Sequence, residues 1–154
     1  MDSMDRRLLS LLQEQGRSSY ADLGAAVGLS VSGVADRIRR LEASGVLQGW
    51  TVRVDPVKAG LEILAFIFVA IERPEWEPGF LTRMRQRPEV LECHHVTGDW
   101  SYLLKVRVGS VADLEGFLAN GLKDLPGLGR THTQLALSSP KETNALPLAG
   151  GEKE

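Results

Sequence analysis

The chain has 154 residues, with 18 Lys/Arg, 20 Asp/Glu, a formal net charge of -2 and 43% hydrophobic residues. That suits one large domain or two small ones of ordinary globular composition, and excludes a low-complexity, collagen-like or disulfide-stapled chain. Cys93, the single cysteine, cannot close an internal disulfide, and the longest apolar run, Ile63 to Ile71, falls far short of the roughly 20 residues that span a bilayer. Asp2, Asp5, Arg6 and Arg7 interrupt the start before any apolar stretch, so no secretory leader is expected. A cytoplasmic protein with no membrane partner is the expectation.

The charge is unevenly placed. Residues 1–60 carry 8 Lys/Arg against 7 Asp/Glu, and the remainder 10 against 13. Any nucleic-acid contact must therefore come from local placement of arginines rather than from overall charge.

In chain order, Asp2 and Asp5 are spaced to cap a first helix with Met4, Leu8, Leu11 and Leu12 as its apolar stripe and Gly16 as its end. Ser19, with Asp22 three positions on, forms a capping-box pattern opening a second helix whose apolar face is Leu23, Ala26 and Val27. Gly28 stands where a left-handed residue ends that helix, Leu29 plugs the turn, and Ser30 caps a third helix. There Val34, Ile38 and Leu41 recur at i, i+4 and i+7 as a buried stripe. Ser32, Asp36, Arg39 and Arg40 lie opposite, Arg37 is on the flank, and Gly45 is the stop. Two capped helices joined by a tight turn, with guanidinium groups on one exposed face, are the signature of a helix-turn-helix.

Val46 to Val54 is β-prone and reads as a small wing. Asp55, Pro56 and Gly60 then mark a linker. Beyond it the period changes. Strands are predicted at Leu61–Glu72, Val90–Thr97, Trp100–Val108 and Leu128–Leu137, with helices at Glu77–Gln86 and Val111–Gly121. Gly98-Asp99 reads as a two-residue type II′ hairpin turn. The order β-α-β-β-α-β is a ferredoxin-like split βαβ arrangement, a sheet with two helices on one face and a second subunit as the simplest cover for the other. The fold class is thus α+β: an N-terminal three-helix, winged-type helix-turn-helix domain (1–54), a linker (55–60), a βαββαβ effector and oligomerisation domain (61–139) and a flexible tail (140–154).

This order of features resembles the Lrp/AsnC (feast/famine) family of prokaryotic transcription regulators over roughly Asp2 to Pro140. The resemblance rests on Asp2-Ser3-Met4-Asp5-Arg6, Gly16-Arg17-Ser18, Leu29-Ser30-Val31-Ser32, Arg37-Ile38-Arg39-Arg40-Leu41-Glu42 and Gly45-Val46-Leu47-Gln48-Gly49-Trp50 in the first part. It continues through Pro88-Glu89-Val90-Leu91-Glu92-Cys93, Val96-Thr97-Gly98, Tyr102-Leu103-Leu104-Lys105-Val106, Leu125-Pro126-Gly127 and Thr131-His132-Thr133. It implies a sequence-specific, DNA-binding transcriptional regulator, not an enzyme, that forms homodimers assembling further into tetramers or octamers. It also implies a small effector, usually an amino acid, bound near the turn after the second strand. By that resemblance the effector-binding candidates are Gly98, Asp99, Trp100, Ser101, Tyr102, Thr131 and Thr133. Ser101 stands where the family typically has aspartate, so a charge-assisted bond to an ammonium group becomes an ordinary one, with Asp99 nearby as a substitute.

On double-stranded DNA, Ser32, Gly33, Asp36, Arg39 and Arg40 are expected at base edges, where arginine pairs bidentately with guanine. Ser30 stands beside them at the helix start. Arg17, Arg37 and Arg53 are expected on phosphates, which position the protein without reading sequence; the competing role for Arg37 is an ion pair near Glu42. No cofactor or metal is expected: in Cys93-His94-His95 only Cys93 and His95 share a strand face, and two ligands do not make a zinc site. Two alternatives share the architecture. One is a sirohaem-decarboxylase-like enzyme recruiting His94, His95 and His132; the other is an architectural DNA binder of steep salt dependence and little specificity.

Overall fold

The computed structural model describes residues 1–148, and within them the chain forms two compact units: residues 1–53 with 141–148, and residues 54–140. Positions 149–154 of the expected tail lie outside the described residues.

The first unit is a three-helix bundle of α1 (Ser3–Glu14), α2 (Tyr20–Val27) and α3 (Val31–Ala43). Each helix starts where a short polar side chain satisfies an orphan amide. Asp2 and Asp5 make a reciprocal capping box on α1, Ser19 and Asp22 another on α2, and Ser30 accepts from the Gly33 amide on α3. Leu8, Leu12, Leu23, Val27, Val34 and Ile38 form the core, with Met4, Leu11, Leu29 and Leu47 packed against it. Ala26 is exposed; the third buried position of α2 is Gly24. Val46–Val54 forms no strand. The residues are β-prone, but nothing in this unit offers a ladder, and Val52 and Val54 remain 72% and 66% exposed. In the tail, the Gln13 side-chain amide donates to the Leu146 carbonyl at 3.1 Å and accepts its N–H at 2.6 Å.

The second unit is a four-stranded antiparallel sheet of order β2-β3-β1-β4, with β1 Ile63–Ile71, β2 Val90–His95, β3 Tyr102–Val108 and β4 Leu128–Leu135. Helices α4 (Glu77–Gln86) and α5 (Val111–Phe117) supply the crossovers. The α4 limits match expectation; the predicted last turn of α5 is instead π-helical, Leu118–Leu122, where Lys123 N–H reaches back five residues to the Leu118 carbonyl. Ala65, Ile67, Val69, Tyr102, Leu104, Val106 and Val108 face the helices and meet Phe80, Met84, Leu114, Phe117 and Leu122. Both helices cover that face. The other presents Phe66, Phe68, Leu103, Lys105, His132 and Gln134 by strand register. Residues 55–60, expected as linker, are held in turns by the Asp55 carboxylate, which accepts the Val57 and Lys58 amides.

The β2–β3 connection corrects the sequence reading. Instead of a two-residue turn at Gly98-Asp99, the loop spans residues 96–101. Ser101 is drawn to β1 rather than to the hairpin: its N–H donates to the Val69 carbonyl at 2.9 Å and its Oγ accepts the Ile71 N–H at 3.0 Å. The Val96 N–H to Ser101 carbonyl bond, 3.1 Å, closes the neck.

Candidate functional site

The turn between α2 and α3 is built by glycine at two places. Gly28 adopts φ 75°, the left-handed region an L side chain enters only at a cost of about 1–2 kcal/mol. Gly24 lies where a Cβ would strike the Leu29 carbonyl oxygen, and the Leu29 N–H in turn donates to the Gly24 carbonyl at 2.9 Å. The two helices approach this closely because that side chain is missing.

The face of α3 opposite the core is open. Val31, Ser32, Asp36, Arg39 and Arg40 are exposed. The Ser30 hydroxyl caps through the Gly33 amide at 3.1 Å and lies 3.1 Å from the Ser32 hydroxyl. Arg39 pairs with Asp36 at 2.8 Å, but at 73% and 64% exposure such a pair is weak and readily exchanged for another partner. The Arg40 side chain has no hydrogen bond or ion pair among the described residues. Arg17 is exposed beside the α2 N-terminus in a shallow depression lined by Gln15, Gly16, Ser18 and Asp22. Arg53 is exposed in the stretch that forms no strand, where Trp50 Nε1–H donates to Glu42 Oε1 at 3.1 Å.

Arg37 is placed differently from expectation. Its Nη1 lies 2.7 Å from Asp2 Oδ2 and 2.7 Å from Asp5 Oδ1, not near Glu42. The hydrogen bond from Arg37, then that from the Asp5 amide, pulls the Asp2 carboxyl down to about 2, and the two carboxylates, Asp2 first and then Asp5, raise the guanidinium pKa.

The seven effector candidates divide among the two sheet faces and the β2–β3 loop. Thr131 and Thr133 lie opposite Val69 and Ile67, on the helix-covered side. Tyr102 is buried there against Phe80 (ring centroids 4.9 Å) and His95 (5.0 Å), and burial raises its hydroxyl pKa. Trp100 instead reaches the helix-free side, 5.8 Å from Phe68 and 6.2 Å from His132, with the Arg130 guanidinium 4.6 Å over its ring. Gly98 and Asp99 are exposed in the loop and Ser101 is committed to β1. Phe68, Arg130 and His132 were not among the candidates; alternation along Phe66–Phe68 and Arg130–His132 is the signal that groups them.

His95 and Cys93 share the helix-covered face, paired with Tyr102 and Leu104, while His94 bonds Glu92 at 3.0 Å on the other. Among the described residues no group of three or more His, Cys, Asp or Glu is placed to hold a metal ion, and no helix is long and apolar enough to cross a membrane.

The profile of the AsnC-type helix-turn-helix domain matches residues 1–42, and that of the Lrp/AsnC ligand binding domain matches residues 64–146. The chain is 36% identical over 148 residues to the leucine-responsive regulatory protein of Escherichia coli K12, covering 95% of this chain and 90% of that protein. It is 31% identical over 148 residues to an HTH-type transcriptional regulator of Pyrococcus horikoshii, covering 96% and 97%. Among solved structures, a Neisseria meningitidis transcriptional regulator in complex with L-Met superposes with TM-score 0.92 at 30% identity, covering 97% of both chains. A feast or famine regulatory protein of M. tuberculosis complexed with L-methionine superposes with TM-score 0.84 at 34% identity, covering 92% and 95%.

Proposed function

This chain belongs to the Lrp/AsnC family of transcriptional regulators, and on that premise we propose how it reads DNA and what controls it. The observation that carries the reading is the α3 face: capped at Ser30, held by the Gly24–Leu29 turn, and presenting Arg40 with no competing partner among the described residues. Ser32, Gly33, Asp36, Arg39 and Arg40 meet base edges, with Ser30 at the helix start, while Arg17 and Arg53 meet phosphates. Arg39 exchanges its exposed bond to Asp36 for a base or phosphate at little cost.

The relatives named above are regulators, and the decarboxylase-like role for His94, His95 and His132 has no support in a site where Glu92 holds one histidine and Tyr102 stacks on another. The protein acts in the cytoplasm as a homodimer or larger assembly in which the helix-free face, with Phe66 and Phe68, is covered by a second copy. Its effector is an amino acid or related metabolite, as in the relatives solved with L-methionine. Ser101 replaces a carboxylate by a hydroxyl already bonded to β1, so selectivity for the ammonium group falls to Asp99 or to a partner subunit.

The test is a mobility shift on DNA from upstream of the protein's own gene, against bulk competitor, with and without a panel of amino acids including L-methionine. A specific shift altered by one amino acid is the expected result; a shift no stronger than that on bulk DNA would overturn the specific-regulator reading. Arg40→Ala is expected to cost about 1–3 kcal/mol at one base position, and an equal loss on every sequence would move Arg40 to the phosphate class.

A further inference from the structure

We infer that Arg37 is a positioning residue that sets the pose of α3 on the N-terminus of α1, and that the Asp2–Asp5 pair is its receptor, so that removing negative charge at this corner weakens DNA binding. The geometry of the capping box is the reason. Asp5 N–H donates to Asp2 Oδ1 at 2.8 Å, and Asp2 N–H donates to Asp5 Oδ2 at 3.0 Å. One oxygen of each carboxylate is thereby held by backbone, which leaves Asp2 Oδ2 and Asp5 Oδ1 fixed side by side. Arg37 Nη1 meets both at 2.7 Å. The acceptor is built within α1 alone, and Arg37 at 22% and Asp5 at 14% exposure are both confined, with Asp2 more open at 56%. A charge-assisted pair of short bonds with both acceptors immobilised fixes direction as well as distance.

The same corner is unsuited to phosphate. Its two carboxylates already engage Arg37 Nη1, and a phosphate brought to that nitrogen would stand against both of them. Arg40 lies three positions after Arg37, one turn along α3, so a tilt or rotation released at Arg37 is carried to the base-reading side chains.

The proposal rests on α3 being the DNA-reading helix. The experiment uses the full-length protein on the upstream DNA: wild type, Arg37→Gln, Asp5→Asn and Arg40→Ala, each at several salt concentrations, on specific and on bulk DNA. Far-UV circular dichroism identifies folded variants, and the more exposed Asp2→Asn stands in if Arg37→Gln does not fold. Asp5→Asn is expected to weaken specific binding at least about fivefold, the lower end of ordinary coupling between two sites, although it removes a negative charge. Arg37→Gln and Asp2→Asn are expected to lower the ratio of specific to bulk affinity at an unchanged slope of log affinity against log salt. A phosphate contact would instead lower the slope by about 1 and weaken both DNAs alike. Tighter or unchanged binding by Asp5→Asn, or a slope reduced by about 1 in Arg37→Gln, overturns the proposal. If Arg40→Ala keeps wild-type affinity on both DNAs, the assignment of the α3 face fails and takes this inference with it; a failure confined to the Arg37 and Asp5 variants leaves that face standing.

Discussion

Replacing Gly24 by alanine tests whether the α2–α3 turn is closed as tightly as the structure shows. In an unconstrained helix interior the change gains about 1 kcal/mol, because glycine is the poorer helix former. At Gly24 the added Cβ lands well inside van der Waals contact of the Leu29 carbonyl oxygen, with Val34 Cγ2 at 3.6 Å behind it. That oxygen is backbone, and its residue is tethered by the 2.9 Å bond from Leu29 N–H to the Gly24 carbonyl, so relief requires opening the turn. Overpacking of this kind costs about 3 kcal/mol at its upper end. The net expectation is a loss of about 2 kcal/mol, or about 8–16 °C in the melting temperature of a unit this size. Gly116 in α5 is the internal control: a Cβ there meets nothing within 4 Å, so Gly116→Ala is expected to gain about 0.5–1 kcal/mol. Thermal unfolding followed by far-UV circular dichroism reads both. A Gly24→Ala protein as stable as wild type, or more so, refutes the close approach of α2 to the turn.

Two further outcomes follow from named contacts. The Asp2 carboxyl, lowered from 3.8 to about 2, contributes stability that is complete above pH 3.8 and is lost as pH falls through about 2. The melting-temperature gap between wild type and Asp2→Asn should therefore close from pH 5 to pH 2, and a pH-independent gap would contradict the ion pair. Gly127→Ala combines left-handed strain at φ 74° with a Cβ placed inside the Trp76 ring, for an expected loss of about 2–5 kcal/mol in urea unfolding. Trp76 should be displaced, seen as a red-shifted tryptophan emission; unchanged emission with unchanged stability would show that the ring does not occupy that space.

What sequence reasoning reached and what it missed divides by range. Caps are local chemistry, so Asp2, Ser19, Ser30 and Gly28 were legible from neighbours within four positions, and α4 was bounded correctly with prolines at 78 and 88 near its two ends. The ion-pair partners of Arg37 were not legible because they lie over thirty positions earlier, where no pattern within α3 points. Gly24 was overlooked because a missing side chain leaves no periodic trace. The β-prone composition of Val46–Val54 was real, but a strand also needs a partner. The effector candidates came from the family resemblance, which does not tell the two faces apart, whereas register does: Phe68 opposite His132 puts Trp100's contacts on one side, and Val69 opposite Thr131 puts the threonines on the other.

The central place of β1 has a consequence for the chain as it is synthesised. ILAFIFVAI is the most apolar stretch of the protein, and both strands that pair with it, β3 and β4, are made later. At about 5–20 residues per second, the interval from Ile71 to Leu128 is on the order of 3–11 s. Throughout it, one edge of a strongly β-forming segment stays unpaired, the condition under which strands on neighbouring nascent chains find one another. The three-helix core, by contrast, draws only on Met4 to Leu47, so all of its residues are made before β1 begins. The three-helix core thus needs nothing made after it, while the yield of the sheet depends on how β1 is shielded until its partners arrive.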